Sequence, residues 1–387
     1  MMRHSPATGV YMDYQATTPT DPRVVAAMQP YWSELYGNPH SADHAFGWDA
    51  DSAVEMARSQ IAAAIGADPD EIIFTSGATE ANNLAVLGIA RASRVRRRIV
   101  VSAIEHKCVL AAARAAAEEG SEVVTGPVTA DGIVDVARLV ELIDDRVAIV
   151  AVMTANNEIG SFQPLRVIAD RCAAVGAVFH TDAAQALSVL PLDVAQLGVD
   201  LMSLSSHKAY GPKGIGALYV RRGLEMRPRP LLHGGGQEAG LRAGTLPTPL
   251  CVGFGEACRI LTDERDGDVP RVAALRDRLL RQLREAVPGI EVNGTLGARH
   301  PGNLNLRFPG IDASVLLQNL HPHVAASTGS ACTSGQPEPS HVLRAIGLTT
   351  AEANASIRLS LGRFTTEGEI DRVAGHIGVA CKKFLVA

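Results

Sequence analysis

The chain has no apolar run approaching the roughly 18 residues that a membrane span requires, and Met1 to Thr8 lack the apolar core of a signal peptide. A cytoplasmic protein with no membrane partner is the expected class. The six cysteines (Cys108, Cys172, Cys251, Cys258, Cys332 and Cys381) show neither paired metal-ligand spacing nor a disulfide framework, so no metal site is expected. In a reducing compartment most of them should be core thiols. Charge of one sign is lacking too: a formal net charge of -5 gives no sign of a polyanion-binding surface or of direct nucleic-acid recognition. The one dense basic cluster, Arg94, Arg96, Arg97 and Arg98, directly precedes Ile99-Val100-Val101 and reads as a helix end and solvated strand entrance. Internal repeats and low-complexity linkers are absent. So is a Gly-x-Gly-x-x-Gly between a first strand and helix, which argues against a nicotinamide cofactor.

What is present begins with size. A chain of 387 residues exceeds the roughly 250 to 300 at which single cores stop growing, so two domains are expected. Asp21-Pro22 predicts a capped helix, and the spacing of Ala53, Met56, Ala57 and Ile61 predicts another from about Trp48 to Ile65. Apolar runs then recur at Ile72 to Phe74, Ile99 to Val101, Val147 to Met153, Val178-Phe179, Leu201-Met202 and Gly216 to Val220. Mostly separated by helical stretches, they predict an α/β fold with a mostly parallel sheet covered on both faces. After Leu261 the pattern changes. The charged segment Asp263 to Asp268 leads to a helix expected over Val272 to Ala286, with shorter strands near Leu304 to Phe308 and Ile357 to Ser360. A large domain over 15–261 and a smaller α+β domain from 1–14 and 262–387 follow.

Polar groups cluster where the strands end, the edge at which such sheets bind ligands. Thr75 to Asn83 is a small-residue turn feeding a helix, with Thr79 as a hydroxyl donor for a phosphate. Glu105-His106, Asn156-Asn157-Glu158 and His180 to Gln185 follow three further strands. Then comes Ser205-Ser206-His207-Lys208, held on a shaped loop by the glycines and proline after it. Singly, these groups have ordinary readings as caps, loop histidines and a solvated lysine. Together they are consistent with pyridoxal 5'-phosphate. Lys208 would carry the Schiff base, Asp182 would keep the pyridine nitrogen protonated, Gln185 would donate to the phenolic oxygen, and His106 would stack on the ring. Thr79, Ser205 and His207 would hold the phosphate. Cys332 lies in a polar, turn-forming stretch, Ala326 to Pro339, whose composition suits an exposed loop and a used thiol; the other five cysteines fit helical apolar patterns and the buried class.

Tyr11 to Pro19, Gly37-Asn38-Pro39, Thr75 to Glu80, Glu105-His106-Lys107, Asn156 to Gly160, Asp182 to Gln185, Ser206-His207-Lys208, Arg242 to Thr245 and Gly329 to Thr333 together resemble the cysteine desulfurases of the IscS/NifS group, over nearly the whole chain. The resemblance implies fold type I of the pyridoxal phosphate enzymes, in the class V aminotransferase family, and a homodimer. It implies that Ala78, Thr79, Asn157, Gln185, Ser205 and His207 bind cofactor, that Thr245 reaches the neighbouring subunit's phosphate, and that Asn38 and Arg358 hold the substrate carboxylate. The implied reaction takes sulfur from L-cysteine onto Cys332 as a persulfide, leaves alanine, and uses His106 to manage a proton. A sulfur-acceptor protein is the implied partner, serving iron-sulfur assembly, tRNA thiolation or DNA phosphorothioation. The group typically continues further beyond Leu361 to Thr365 than this sequence does, so scaffold docking by a C-terminal extension is not expected. An aminotransferase or selenocysteine lyase of the same fold, and a relay subunit active only in a complex, remain alternatives.

Overall fold

The computed structural model describes residues 9–329 and 339–385. Its strands are β1 (Val10–Tyr11), β2 (Ile72–Thr75), β3 (Arg98–Ser102), β4 (Glu122–Gly126), β5 (Val147–Ala151), β6 (Val178–Asp182), β7 (Leu201–Ser205), β8 (Gly216–Val220), β9 (Glu291–Val292), β10 (Asn303–Arg307), β11 (Val324–Ala325) and β12 (Ser356–Ser360). The helices are α1 (Pro22–Met28), α2 (Ala45–Ile65), α3 (Ala78–Ala92), α4 (Lys107–Glu118), α5 (Val136–Leu142), α6 (Leu165–Val175), α7 (Val194–Leu197), α8 (Thr248–Ala286), α9 (Ala313–Leu320), α10 (His341–Ala345), α11 (Thr350–Asn354) and α12 (Glu367–Leu385).

Seven strands form the main sheet in the order β2-β8-β7-β6-β5-β3-β4, and only β8 runs against its neighbours. Strands β5, β6 and β7 are buried at every position, as expected when helices cover both faces. On one face Val54 and Ile61 of α2, Leu139 of α5, Ile168 of α6 and Phe254 of α8 share a core; on the other Leu84 and Ile89 of α3 pack with Val109 and Ala113 of α4. Strand β4 escapes detection by apolar pattern because it is an edge strand: Glu122 is exposed and pairs with Arg98.

The chain leaves β3 towards β4 and returns on the other side through β5, so the order reverses between β3 and β5. A crevice opens at such a switch point, outside the carboxyl ends of the strands. A second core forms around the antiparallel β12-β10-β9 sheet, from Val10, Met12, Leu279, Leu306, Leu359 and Ile377 among others.

Helix α8 corrects the sequence reading. It runs unbroken for 39 residues, through the charged segment and Pro270, where a helix beginning near Val272 was expected. Its apolar stripe explains why: Cys251, Phe254, Cys258 and Leu261 face the first core, whereas Val272, Leu275, Leu279 and Leu283 face the second. Between them Asp263 to Asp268 are solvated helix rather than a boundary loop. The basic cluster matches expectation, since α3 ends at Ala92 and Arg98 begins β3.

Candidate active site

The strand ends enclose a cavity of about 760 Å³. Its floor comes from Ala78 and Thr79 after β2, His106 after β3, Asn157 after β5, Asp182 and Gln185 from β6, and Ser205, His207 and Lys208 from β7. Asp13, Gln15 and Thr17 line it from the N-terminal segment, and Arg358 on β12 reaches it from the second sheet. A groove of about 820 Å³ lined by Arg91, Arg94, Arg97 and His233 lies beside the entrance of β3, away from these groups.

Lys208 ends a single 3-10 turn that continues β7. Its Nζ donates to the carbonyl oxygens of Gln15 at 2.6 Å and Ala16 at 2.7 Å. Burial, aided by the Arg358 charge, pushes the amine down to about 8, so a neutral lysine is accessible near physiological pH. Asp182 is buried at the end of β6; its carboxylate accepts from Asn82 Nδ2 at 2.7 Å and from the Ala184 amide at 2.9 Å. His207 is hydrogen-bonded to Thr17 Oγ1 at 3.1 Å, and burial pushes it down to about 4, which leaves a neutral ring. Gln185 Nε2 donates to the Gln15 carbonyl at 2.9 Å.

Arg358 holds a guanidinium at the cavity wall, donating to Asn157 O and to Asp13 Oδ1, both at 2.6 Å. Its Nε and the Asn157 Oδ1 are buried without a hydrogen-bond partner among the described residues. Buried polar atoms left so are costly, and the two residues that carry them both line the cavity.

Pyridoxal phosphate fits this donor set. Gly77, the N-cap of α3 with φ of 152°, supplies no side-chain cap, so the first-turn amides of α3 stay free for an anion. A Cβ on Gly216 would lie 2.7 Å from the Gly77 Cα, so only glycine lets β8 support this turn so closely. Ser205, His207 and Lys213 line the same cavity as the turn, and the buried acid Asp182 is available to a ring nitrogen.

Two expected residues are not brought in. Asn38 is exposed, with Oδ1 accepting from the His40 amide, and Thr245 is exposed; neither lines the cavity. Cys332 lies outside the described residues, although Ser327 and Gly329 before it line the cavity. Cys108 requires correction: expected among core thiols, it is half-buried and lines the site, because the α4 turn that places His106 also places Cys108. Asp13 and Gln15 carried no strand-end signal, and Asn82, within the Thr75 to Asn83 turn, was given no role. The motif Tyr11 to Pro19 contained the first two, but only the tertiary fold brings residues 345 positions apart, Asp13 and Arg358, into contact.

A shielded lysine at the carboxyl edge of a sheet with this topology defines the class, a pyridoxal phosphate-dependent enzyme of fold type I. The family description Aminotransferase class-V matches residues 10–373. The human protein named cysteine desulfurase is 50% identical over 363 residues, covering 94% of this chain and 79% of its own length. A solved NifS-like protein superposes with a TM-score of 0.90 at 35% identity, over 97% of this chain and 100% of its own. The structure described as SspA in complex with cysteine has a TM-score of 0.81 at 37% identity, over 92% of this chain and 99% of that one. The chain belongs to the class-V aminotransferase family and, within it, to the cysteine desulfurases.

Proposed function

We propose that this enzyme acts on L-cysteine as a homodimer, moves the substrate sulfur onto Cys332 and hands it to an acceptor protein. The observation that carries the reading is the convergence of Lys208 and Arg358 on one cavity: a buried amine and a guanidinium at the wall together suit an α-amino acid. The neighbour described in complex with cysteine supports that choice of amino acid. When bound, pyridoxal phosphate supplies an electron sink for the substrate carbons.

The chain's own residues do the rest. Asp182, kept in place by Asn82 and the Ala184 amide, would partner the ring nitrogen. Thr79, Ser205, His207 and the α3 amides would hold the phosphate, and Thr245, exposed on its own subunit, would serve the neighbouring one. Lys208, accessible as a neutral amine, would take the α-proton. The thiolate of Cys332 then attacks the substrate sulfur. A sulfur-sulfur bond forms as the carbon-sulfur bond breaks, the bonding electrons pass to carbon, and carbon gains a proton before leaving as alanine. Arg358 would hold the substrate carboxylate, with Asn38, which is exposed in the single subunit, as its second contact in this reading. The free thiols favour a reducing compartment, the cytoplasm in this reading, and the acceptor belongs to iron-sulfur assembly or another sulfur-transfer route.

The test is turnover of L-cysteine with a thiol reductant, following alanine and sulfide. Cys332→Ala is expected to retain the cofactor's absorbance and lose sulfide release. Normal sulfide release from that variant would remove Cys332 from the reaction, and a complete keto-acid half-reaction would make the enzyme an aminotransferase.

A further inference from the structure

Arg358 belongs to a closed circuit of contacts that also takes in both ends of the segment bearing Cys332. Its backbone exchanges hydrogen bonds with Ser327, the Arg358 amide donating to Ser327 O at 2.7 Å and the Ser327 amide to Arg358 O at 3.3 Å. Ser327 Oγ accepts from the Gly329 amide at 3.0 Å. Gly329 rests on Glu158: its φ of 89° is the left-handed conformation that favours glycine, and a Cβ added there would lie 3.3 Å from Glu158 Oε2 and 3.5 Å from its Cγ. Glu158 follows Asn157, whose carbonyl accepts from Arg358 Nη1 at 2.6 Å, and the circuit closes. The same carboxyl group holds the far end of the segment. Ser340 is the N-cap of α10, and its Oγ accepts from the Leu343 amide at 3.1 Å. Its one hydroxyl proton is therefore free to donate, and it goes to Glu158 Oε2. Glu158 is itself firmly held. It is buried, its amide donates to Asn156 Oδ1 at 2.8 Å, and its carbonyl accepts from Asn303 Nδ2 at 3.0 Å and Asn305 Nδ2 at 3.2 Å. Both asparagines are on β10, where Asn305 stands opposite Arg358 of β12.

We propose that Glu158 is a positioning residue for sulfur transfer: its side chain fixes where the segment carrying Cys332 leaves and rejoins the fold relative to the Arg358 guanidinium. In sequence Cys332 stands three residues after Gly329 and eight before Ser340. In the proposed function, on which this inference rests, Arg358 holds the substrate carboxylate and so places the substrate sulfur. Nucleophile and substrate are then referred to one side chain, the first through Gly329 and Ser340, the second through Asn157 and Arg358. Glu158 does not line the cavity, so it acts only through these neighbours. The step it serves is the attack itself, in which the Cys332 sulfur bonds to the substrate sulfur as the carbon-sulfur bond breaks and its electrons pass to carbon. That step is the one most sensitive to placement, since an error of about 1 Å between reacting groups costs on the order of 10²-fold. What Ser340 requires of Glu158 is an acceptor oxygen. An apolar side chain of similar size would fill the same space and leave the hydroxyl without a partner.

The experiment is a single turnover of holoenzyme with L-cysteine, reading two signals from the same samples: the change in cofactor absorbance as substrate binds, and persulfide on Cys332 by alkylation and mass spectrometry. In Glu158→Ala the absorbance change is expected to follow the parent, while persulfide formation slows by about 10- to 100-fold. Glu158→Gln keeps a side-chain oxygen that accepts from Ser340 and is expected to recover most of the lost rate. Ser340→Ala, with Glu158 intact, is expected to slow the same step, and it carries the test if Glu158→Ala does not fold. Equal losses in both signals would make Glu158 a support of the fold and overturn the proposal. So would persulfide formation at the parent's rate in either alanine variant, or a Glu158→Gln as slow as Glu158→Ala. If the parent itself forms no persulfide on Cys332, the proposed function fails and this role falls with it; a parent that forms it beside an unaffected Glu158→Ala rejects this inference alone.

Discussion

At the scale of single residues, chemistry follows from how far each charge is removed from water. Lys208 is the clearest case: burial costs its ammonium form more than its two carbonyl partners return, so its pKa falls to about 8 from the 10.5 of a free lysine. The charged form is the disfavoured one, so reactivity of the amine rises with pH through about 8. Capture of pyridoxal phosphate by cofactor-free enzyme, followed by absorbance, is expected to accelerate with that midpoint, and Lys208→Ala to give no stable adduct. A midpoint near 10 would mean that Lys208 is solvated after all. Residue identity announced Lys208, Asp182 and His106 because each stands at or just beyond a strand end. It could not announce Cys108 as a site residue. A cysteine on an apolar helix pattern has the same local signature in a core and behind a cavity, and the distinction lies in what packs against the helix.

At the scale of elements, α8 is the one the sequence reading divided and the structure joins. A run of six mostly charged residues followed by proline marks a loop only if nothing holds the helix on either side, and here both ends are buried in separate cores. Proline at this position also lacks an amide to donate, yet the cores on either side fix the axis. Leu279 is fully buried in the second core, so Leu279→Ala should cost about 2–5 kcal/mol in a denaturant titration. A change within a few tenths would show that α8 is loosely seated there. The short strands β1, β9 and β11 were missed for a related reason. Two residues have no periodicity, and their pairing with β10 or with each other exists only in three dimensions.

At the scale of the whole molecule, the two cores are clamped by Arg363. Its Nε donates to Asp268 Oδ2 at 2.6 Å, its Nη1 to Asp21 Oδ2 at 3.2 Å, and its guanidinium lies 4.7 Å from the centre of the Tyr210 ring, whose hydroxyl accepts from the Arg363 amide at 2.7 Å. Tyr210 is two residues from Lys208, so the clamp also fixes the loop that bears the amine. Removing one partner of a buried ion pair leaves the other uncompensated. Arg363→Ala is expected to destabilise by about 3 kcal/mol, at the low end for such pairs because Arg23 still holds Asp21, and to raise KM more than it changes spectral properties. Unchanged stability would place the clamp elsewhere. By itself the sequence determined the parallel sheet, the strand-end edge and the lysine, because periodicity and strand-end placement are local properties. Only the tertiary structure decided that Arg358 and Asp13 share a wall with Lys208, and that Cys108 stands behind His106. Those outcomes depend on which distant segments pack together, and the free energy that selects them is burial summed over two cores rather than any preference written in a short stretch of chain.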